Sequence, residues 1–207
     1  IVDKPTLQSA CKDVAGEGLL GCYTGRIYLQ QIGNPEFQSE MTVTAAHEML
    51  HSAYHNLTPE ERAETERLVE EALRSRNDSE LTERISKYDD RAAQFDEAFA
   101  ILGTEVPDEQ LPLDLARRYD EYFDDRSKVV GLHQQIESEF DSLEQQVNTL
   151  QAEIETRRRA MDRLLANGQV AEYNARVEPF NELVRKHNDL VREYNDLGER
   201  FNKAISQ

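Results

Sequence analysis

Two imidazoles four residues apart, with a carboxylate directly after the first, are the groups in this chain best spaced to do chemistry: His47-Glu48-Met49-Leu50-His51. Four residues of α-helix turn through about 400°, so both histidines leave one face a turn apart. One metal ion can then take a nitrogen from each, at about 2.0–2.1 Å for zinc. Glu48 lies about 100° around the helix, beside the ion and not on it. A carboxylate there can take a proton from an attacking water and carry it to a leaving group. The chemistry expected is hydrolysis with zinc as cofactor and Glu48 as general base.

The elements that must position these groups follow from the flanking sequence. Glu40 to Leu57 has no Gly or Pro, and Met41, Ala45, Met49 and Ala53 recur every four residues. Val43, Ala46 and Leu50 extend that surface, as in a packed amphipathic helix. Asn34-Pro35-Glu36 marks its approach. Thr58-Pro59-Glu60-Glu61 opens the next helix, with Thr58 as N-cap, Pro59 first in the helix and Glu61 as the reciprocal capping carboxylate. Upstream, Gly25 to Ile32 alternates and carries β-branched and aromatic residues, which predicts a strand. A strand before the helix can lay out an extended peptide by strand addition.

Two histidines leave a catalytic metal one protein ligand short. His55 lies a further turn along the same helix, and a straight helix does not wrap three consecutive turns around one ion. A histidine six residues past His51, the metzincin extension, is absent: that position is Leu57. Downstream, Gln94 to Thr104 reads as a helix with Phe95, Ala98, Phe99 and Leu102 as its buried stripe, closed by Gly103 in the left-handed C-cap conformation. Glu97 is set beside that stripe, where an unpaired carboxylate is costly and a metal ion is a suitable partner. Glu105 and Asp90 are rival ligands. Tyr119 and Tyr122 are candidate donors to the oxygen that turns negative on attack, with His55 behind them.

His47-Glu48-x-x-His51, followed on a later helix by Asp96-Glu97-Ala98, resembles the gluzincins, the thermolysin-like zinc metallopeptidases. The resemblance spans Thr42 to Thr104. It implies a zincin-like domain that hydrolyses peptide bonds, with His47, His51 and Glu97 as zinc ligands and Glu48 as general base. Two features depart from that pattern. The interval from His51 to Glu97 is longer than in thermolysin and holds two additional helical stretches. The acid that many members carry one turn after the glutamate is Ile101 here. The partner that orients a ligand histidine is thus open among Asp90, Asp96 and Glu105.

The chain of 207 residues suits one compact domain with an appendage. We expect a mainly α (α+β) protein: a zincin-like domain with a short sheet over residues 1–126, then a long antiparallel coiled-coil hairpin over 127–207. In the hairpin Phe140, Val147, Ile154 and Met161 recur every seven residues, with Ile136, Leu143, Leu150 and Leu164 between them. Asn167-Gly168 stops the pattern, which resumes as Tyr173, Phe180, His187, Tyr194 and Phe201, each followed by Asn. Pro179 is expected to kink the second arm. Leu111 to Arg126 is expected to open the first long helix, with Gly131 the weak point between domain and arm.

The net charge is −17, of which residues 1–125 hold −15, with 12 basic against 27 acidic side chains. That field disfavours nucleic acid and anionic lipid and favours a basic peptide or protein substrate. No apolar run approaches the roughly 18 residues of a membrane span. Cys11 and Cys22 are the only cysteines and flank a glycine-bearing bend, which favours a disulfide and an extracytoplasmic location. The start at Ile1 without Met suggests processing. The alternative to a peptidase is a non-catalytic interaction protein of zincin descent. It would act through the coiled-coil arm, by binding a partner or by self-association.

Overall fold

The computed structural model describes residues 1–12 and 19–206 and is mainly helical with one small antiparallel hairpin. In chain order the elements are α1 (Lys4–Ala10), β1 (Gly21–Tyr23), β2 (Ile27–Leu29), α2 (Gln38–His55), α3 (Pro59–Arg76), α4 (Ser79–Ser86), α5 (Arg91–Glu105), α6 (Leu113–Tyr119), α7 (Arg126–Ala166) and α8 (Val170–Ser206). The chain divides into two compact units, Ile1–Gln135 with Ala204–Gln207, and Ile136–Lys203. The division falls at Gln135 and not at 126 because the first turns of α7 belong to the first unit. There Val129 packs with Val43 and Ala46 of α2.

Local chemistry explains where the helices begin. Asn34 accepts from the N–H of Glu36 and starts a 3-10 turn, Pro35–Phe37, that leads into α2. Thr58 and Glu61 form the reciprocal box expected at the head of α3. Asp78 caps α4 and Asp90 caps α5 through the N–H of Ala93. The helix expected to run from Leu111 into the coil is two elements. α6 ends at Tyr119, and α7 has its own cap in Asp125, which accepts from the Ser127 hydroxyl and the Lys128 backbone.

The core of the first unit is built around α5. Ala98 through Thr104 are all buried, with Leu50 and Tyr54 of α2, Leu68, Val69 and Ala72 of α3, Leu81 and Ile85 of α4, and Leu115 and Tyr119 of α6 around them. A helix enclosed on every side is apolar on every side. Gly103 does not end α5 in a left-handed conformation as expected. It lies inside the helix where α2 and α6 press closest: a Cβ there would clash with Leu50 Cδ1 and meet Tyr119 Cε1 at 2.7 Å. The end of α5 is closed by Arg126, whose buried guanidinium donates to the carbonyls of Leu102, Gly103 and Val106 at 3.2, 3.2 and 2.8 Å and pairs with Asp108.

The buried stripe of α2 follows Val43, Ala46, Leu50 and Tyr54. Met41, Ala45, Met49 and Ala53 are only half-buried. The strand predicted over Gly25 to Ile32 is β2, pairing Gly21 with Leu29 and Tyr23 with Ile27. Its other edge is taken by Val2, whose N–H donates to Leu29 and whose carbonyl accepts from Gln31. Among the described residues the edge left unpaired is therefore that of β1. A disulfide joins Cys11, at the end of α1, to Cys22 in β1. The bend expected at Gly16 and Gly18 lies outside the described residues.

The second unit is a hairpin of α7 and α8. Phe140 meets Tyr194 and Phe201 edge-on at 6.0 and 6.1 Å between ring centroids, so the arms run antiparallel. Gly168, with φ 72°, makes the turn at the expected Asn-Gly stop. Both helices continue through the residues expected to weaken them, α7 through Gly131 and α8 through Pro179.

Candidate metal centre

His47 and His51 project from α2 toward Glu97 of α5, and one donor atom from each of the three lies within 4.8 Å of the others. His51 Nε2 is 3.1 Å from His47 Nε2 and 3.6 Å from Glu97 Oε2, and His47 Nε2 is 3.8 Å from Glu97 Oε1. Donors around a tetrahedral ion with bonds near 2.0 Å sit about 3.3 Å apart, so the triangle is the right size for one ion. The packing of α2 against α5 brings these side chains together across an interval of dozens of residues.

The hydrogen bonds around the triangle select the forms a metal needs. His51 Nδ1 donates to Asp96 Oδ1 at 2.8 Å, which leaves the Nε2 lone pair facing His47 and Glu97. Burial resists charging His51, but the Asp96 carboxylate outweighs it and raises the pKa of the ring. Burial also works against ionised Glu97. The imidazole of His47, the hydroxyl of Tyr88 and His51 more than compensate, holding its carboxyl at about 2. Glu97 is thus an anionic donor in the group.

Glu48 is buried beneath the hairpin. Gly21 of β1 lies over it so closely that a Cβ there would sit 3.1 Å from Glu48 Cγ and 2.7 Å from Thr44 Cγ2. Burial raises the pKa of Glu48, partly offset by His47 and His51, with Glu97 and Asp96 raising it further. A buried carboxylate beside the donor set, more basic than usual, is suited to accept a proton.

The rival ligands and candidate partners separate cleanly. Asp96 is the partner that orients His51. Asp90 is the N-cap of α5, and Glu105 is clamped by Arg84 through two bonds of 2.7 Å, so neither joins the donor set. His55 is half-exposed on the third turn, 3.1 Å from the second oxygen of Asp96 and 5.6 Å from the Tyr23 ring of β1. The two tyrosines expected as donors sit elsewhere. Tyr119 is fully buried and gives its hydroxyl to the Phe99 carbonyl at 2.7 Å. Tyr122 packs edge-on against Phe99, among Arg118, Glu121 and Glu61. Both pack against Phe99 in the core.

The hydroxyl at the site comes from Tyr88, which donates to Glu97 Oε2 at 2.8 Å. Its backbone is held in turn by Gln94 Nε2, which donates to the Tyr88 carbonyl. Sequence reasoning passed over Tyr88 because it lies in the turn after α4. The available signal was its position two residues before the Asp90 cap of the ligand-bearing helix.

The chain matches no protein-family profile, no curated protein and no solved structure. The site is therefore read on its own geometry.

Proposed function

We propose that this protein is a zinc-dependent peptidase of the gluzincin kind. The observation that carries the reading is the donor triangle of His47, His51 and Glu97, with Asp96 fixing the tautomer of His51 and Glu48 buried alongside. Two imidazoles and one carboxylate form the donor set of a catalytic zinc with a position left open. An ion held there would supply Lewis acidity, lowering the pKa of water and polarising a carbonyl. Glu48 accepts the proton of the water that attacks the substrate carbonyl and passes it to the departing amine. His55, held by Asp96, is the donor this reading assigns to the developing negative charge, and Tyr88 joins it only by releasing Glu97.

The substrate lies extended along the outer edge of β1, whose Gly21 covers Glu48 and whose Tyr23 meets His55. The acidic surface of residues 1–125 favours basic segments. An extracytoplasmic setting suits the Cys11–Cys22 disulfide, and no described helix is long and apolar enough to cross a membrane. The test is proteolysis of a mixed peptide library by the zinc-loaded protein and by its Glu48→Gln form. Cleavage by the first and a loss of at least about a hundredfold in the second, with zinc retained, are expected. No cleavage by the zinc-loaded wild type, with a partner captured through residues 127–207, would point instead to an interaction protein.

A further inference from the structure

Within the second unit, α7 from Thr156 to Met161 and α8 from Ala175 to Phe180 flank a groove of about 330 Å³. That is comparable with the smaller ligand pockets of proteins, which span about 300–1,000 Å³. Two local choices open it. Ala160 and Ala175 contribute only methyl groups to its walls, and Pro179 has no N–H to give the carbonyl of Ala175 one turn before it. The lining is apolar, with Met161 buried and Phe180 half-buried, while Arg157 and Arg176 stand exposed at the rims.

The charged residues that line the groove, Arg157 and Arg176, are both cationic in a chain that is acidic overall. The whole protein carries −17, whereas Glu153 to Phe180 holds five arginines (157, 158, 159, 163 and 176) against five acids (Glu153, Glu155, Asp162, Glu172 and Glu178) and is neutral. Arg157 is paired with Glu153 and Arg159 lies 3.9 Å from Glu155. Arg158 and Arg176 take part in no ion pair among the described residues. Leu165 and Val170, on either side of the Gly168 turn, are 46% and 55% exposed.

An apolar groove rimmed by guanidinium groups selects a particular ligand chemistry. Aliphatic or aromatic side chains fill the floor, and flanking carboxylates meet the arginines in paired N–H···O bonds that a neutral or basic segment cannot make. We propose that this groove docks an acidic amphipathic segment of a partner protein. The proposal deepens the reading of the hairpin as a partner-binding arm and does not depend on the metal chemistry.

The test is selection of displayed random peptides on the full chain carrying Glu48→Gln, so that nothing captured is cleaved. Enriched peptides are then measured against three further forms of that chain: Arg157→Glu with Arg176→Glu, Arg157→Lys with Arg176→Lys, and Ala175→Trp, which fills the groove. We expect peptides with apolar residues flanked by Asp or Glu, binding at least about tenfold more weakly to the glutamate and tryptophan forms and retained by the lysine form. Both arginines are exposed, so far-UV circular dichroism should be unchanged in the charge variants. Peptides held equally by every form, as peptides bound at the metal centre would be, overturn the proposal. So does a basic or uncharged consensus, or no enrichment at all. Binding of phosphatidylserine vesicles in place of peptides, or closure of the groove by a second copy in sedimentation, also overturns it.

Discussion

Asp96 is the residue that orders the candidate ligand set of His47, His51 and Glu97. One of its oxygens takes the Nδ1 proton of His51 and the other holds His55, so it fixes both the tautomer and the ring plane of a candidate ligand from outside the donor triangle. Asp96→Ala should weaken zinc binding by about 10–100-fold in competition with a chromogenic chelator. Glu105→Ala should leave that affinity unchanged, because its carboxylate is committed to Arg84. Equal affinities in wild type and Asp96→Ala would mean that His51 is oriented by something else. The histidine pair was legible in the sequence because its spacing is a property of one helix. Glu97 was legible because a carboxylate beside Phe95, Ala98 and Phe99 needs an explanation. Tyr88 was not, since the turn that delivers it is specified by how α4 and α5 pack and not by its own neighbours.

Among the elements, α5 carries two ligand-side acids near one end and the tightest packing near the other. Gly103 tests that packing. Alanine in a helix interior is ordinarily favoured over glycine by roughly 0.8–1.0 kcal/mol. Here its Cβ would press on Leu50 and on the Tyr119 ring, which stacks on Phe99 and is pinned through its hydroxyl. Overpacking of this kind costs about 1–3 kcal/mol. Gly103→Ala should therefore destabilise the protein by up to about 2 kcal/mol in urea unfolding. A stabilised variant would show that Leu50 swings aside at little cost. The same position shows where sequence reading stops. A glycine near a helix end has two uses, a left-handed cap or a close approach, and only the neighbours brought by α2 and α6 decide between them. Caps at Asn34, Thr58 and Asn167-Gly168 were readable because their hydrogen bonds and turns are local. The brief strand β1 was missed because three residues, one a glycine over Glu48 and one a disulfide cysteine, carry no periodicity.

At the scale of the whole molecule, two kinds of order share one chain. The heptads announced the hairpin, since a seven-residue repeat on both sides of an Asn-Gly stop has few other meanings. Its boundary was less legible. Arg126 and Val129 look like the start of a coil, but they close α5 and pack on α2, so the first unit keeps the opening turns of α7. The disulfide ties the strand that covers Glu48 to the N-terminal helix, so the roof of the site is held covalently as well as by packing. The proposed centre is a single zinc ion bound by two imidazoles and a carboxylate. The most direct measurement is zinc-edge X-ray absorption on the protein loaded with one equivalent of metal. Scattering is expected from two imidazoles and from light oxygen or nitrogen neighbours at about 2.0–2.1 Å, with no sulfur, and the bound ion should be lost in Glu97→Ala. A first shell without imidazole scattering, or an unchanged spectrum and occupancy in Glu97→Ala, would contradict it.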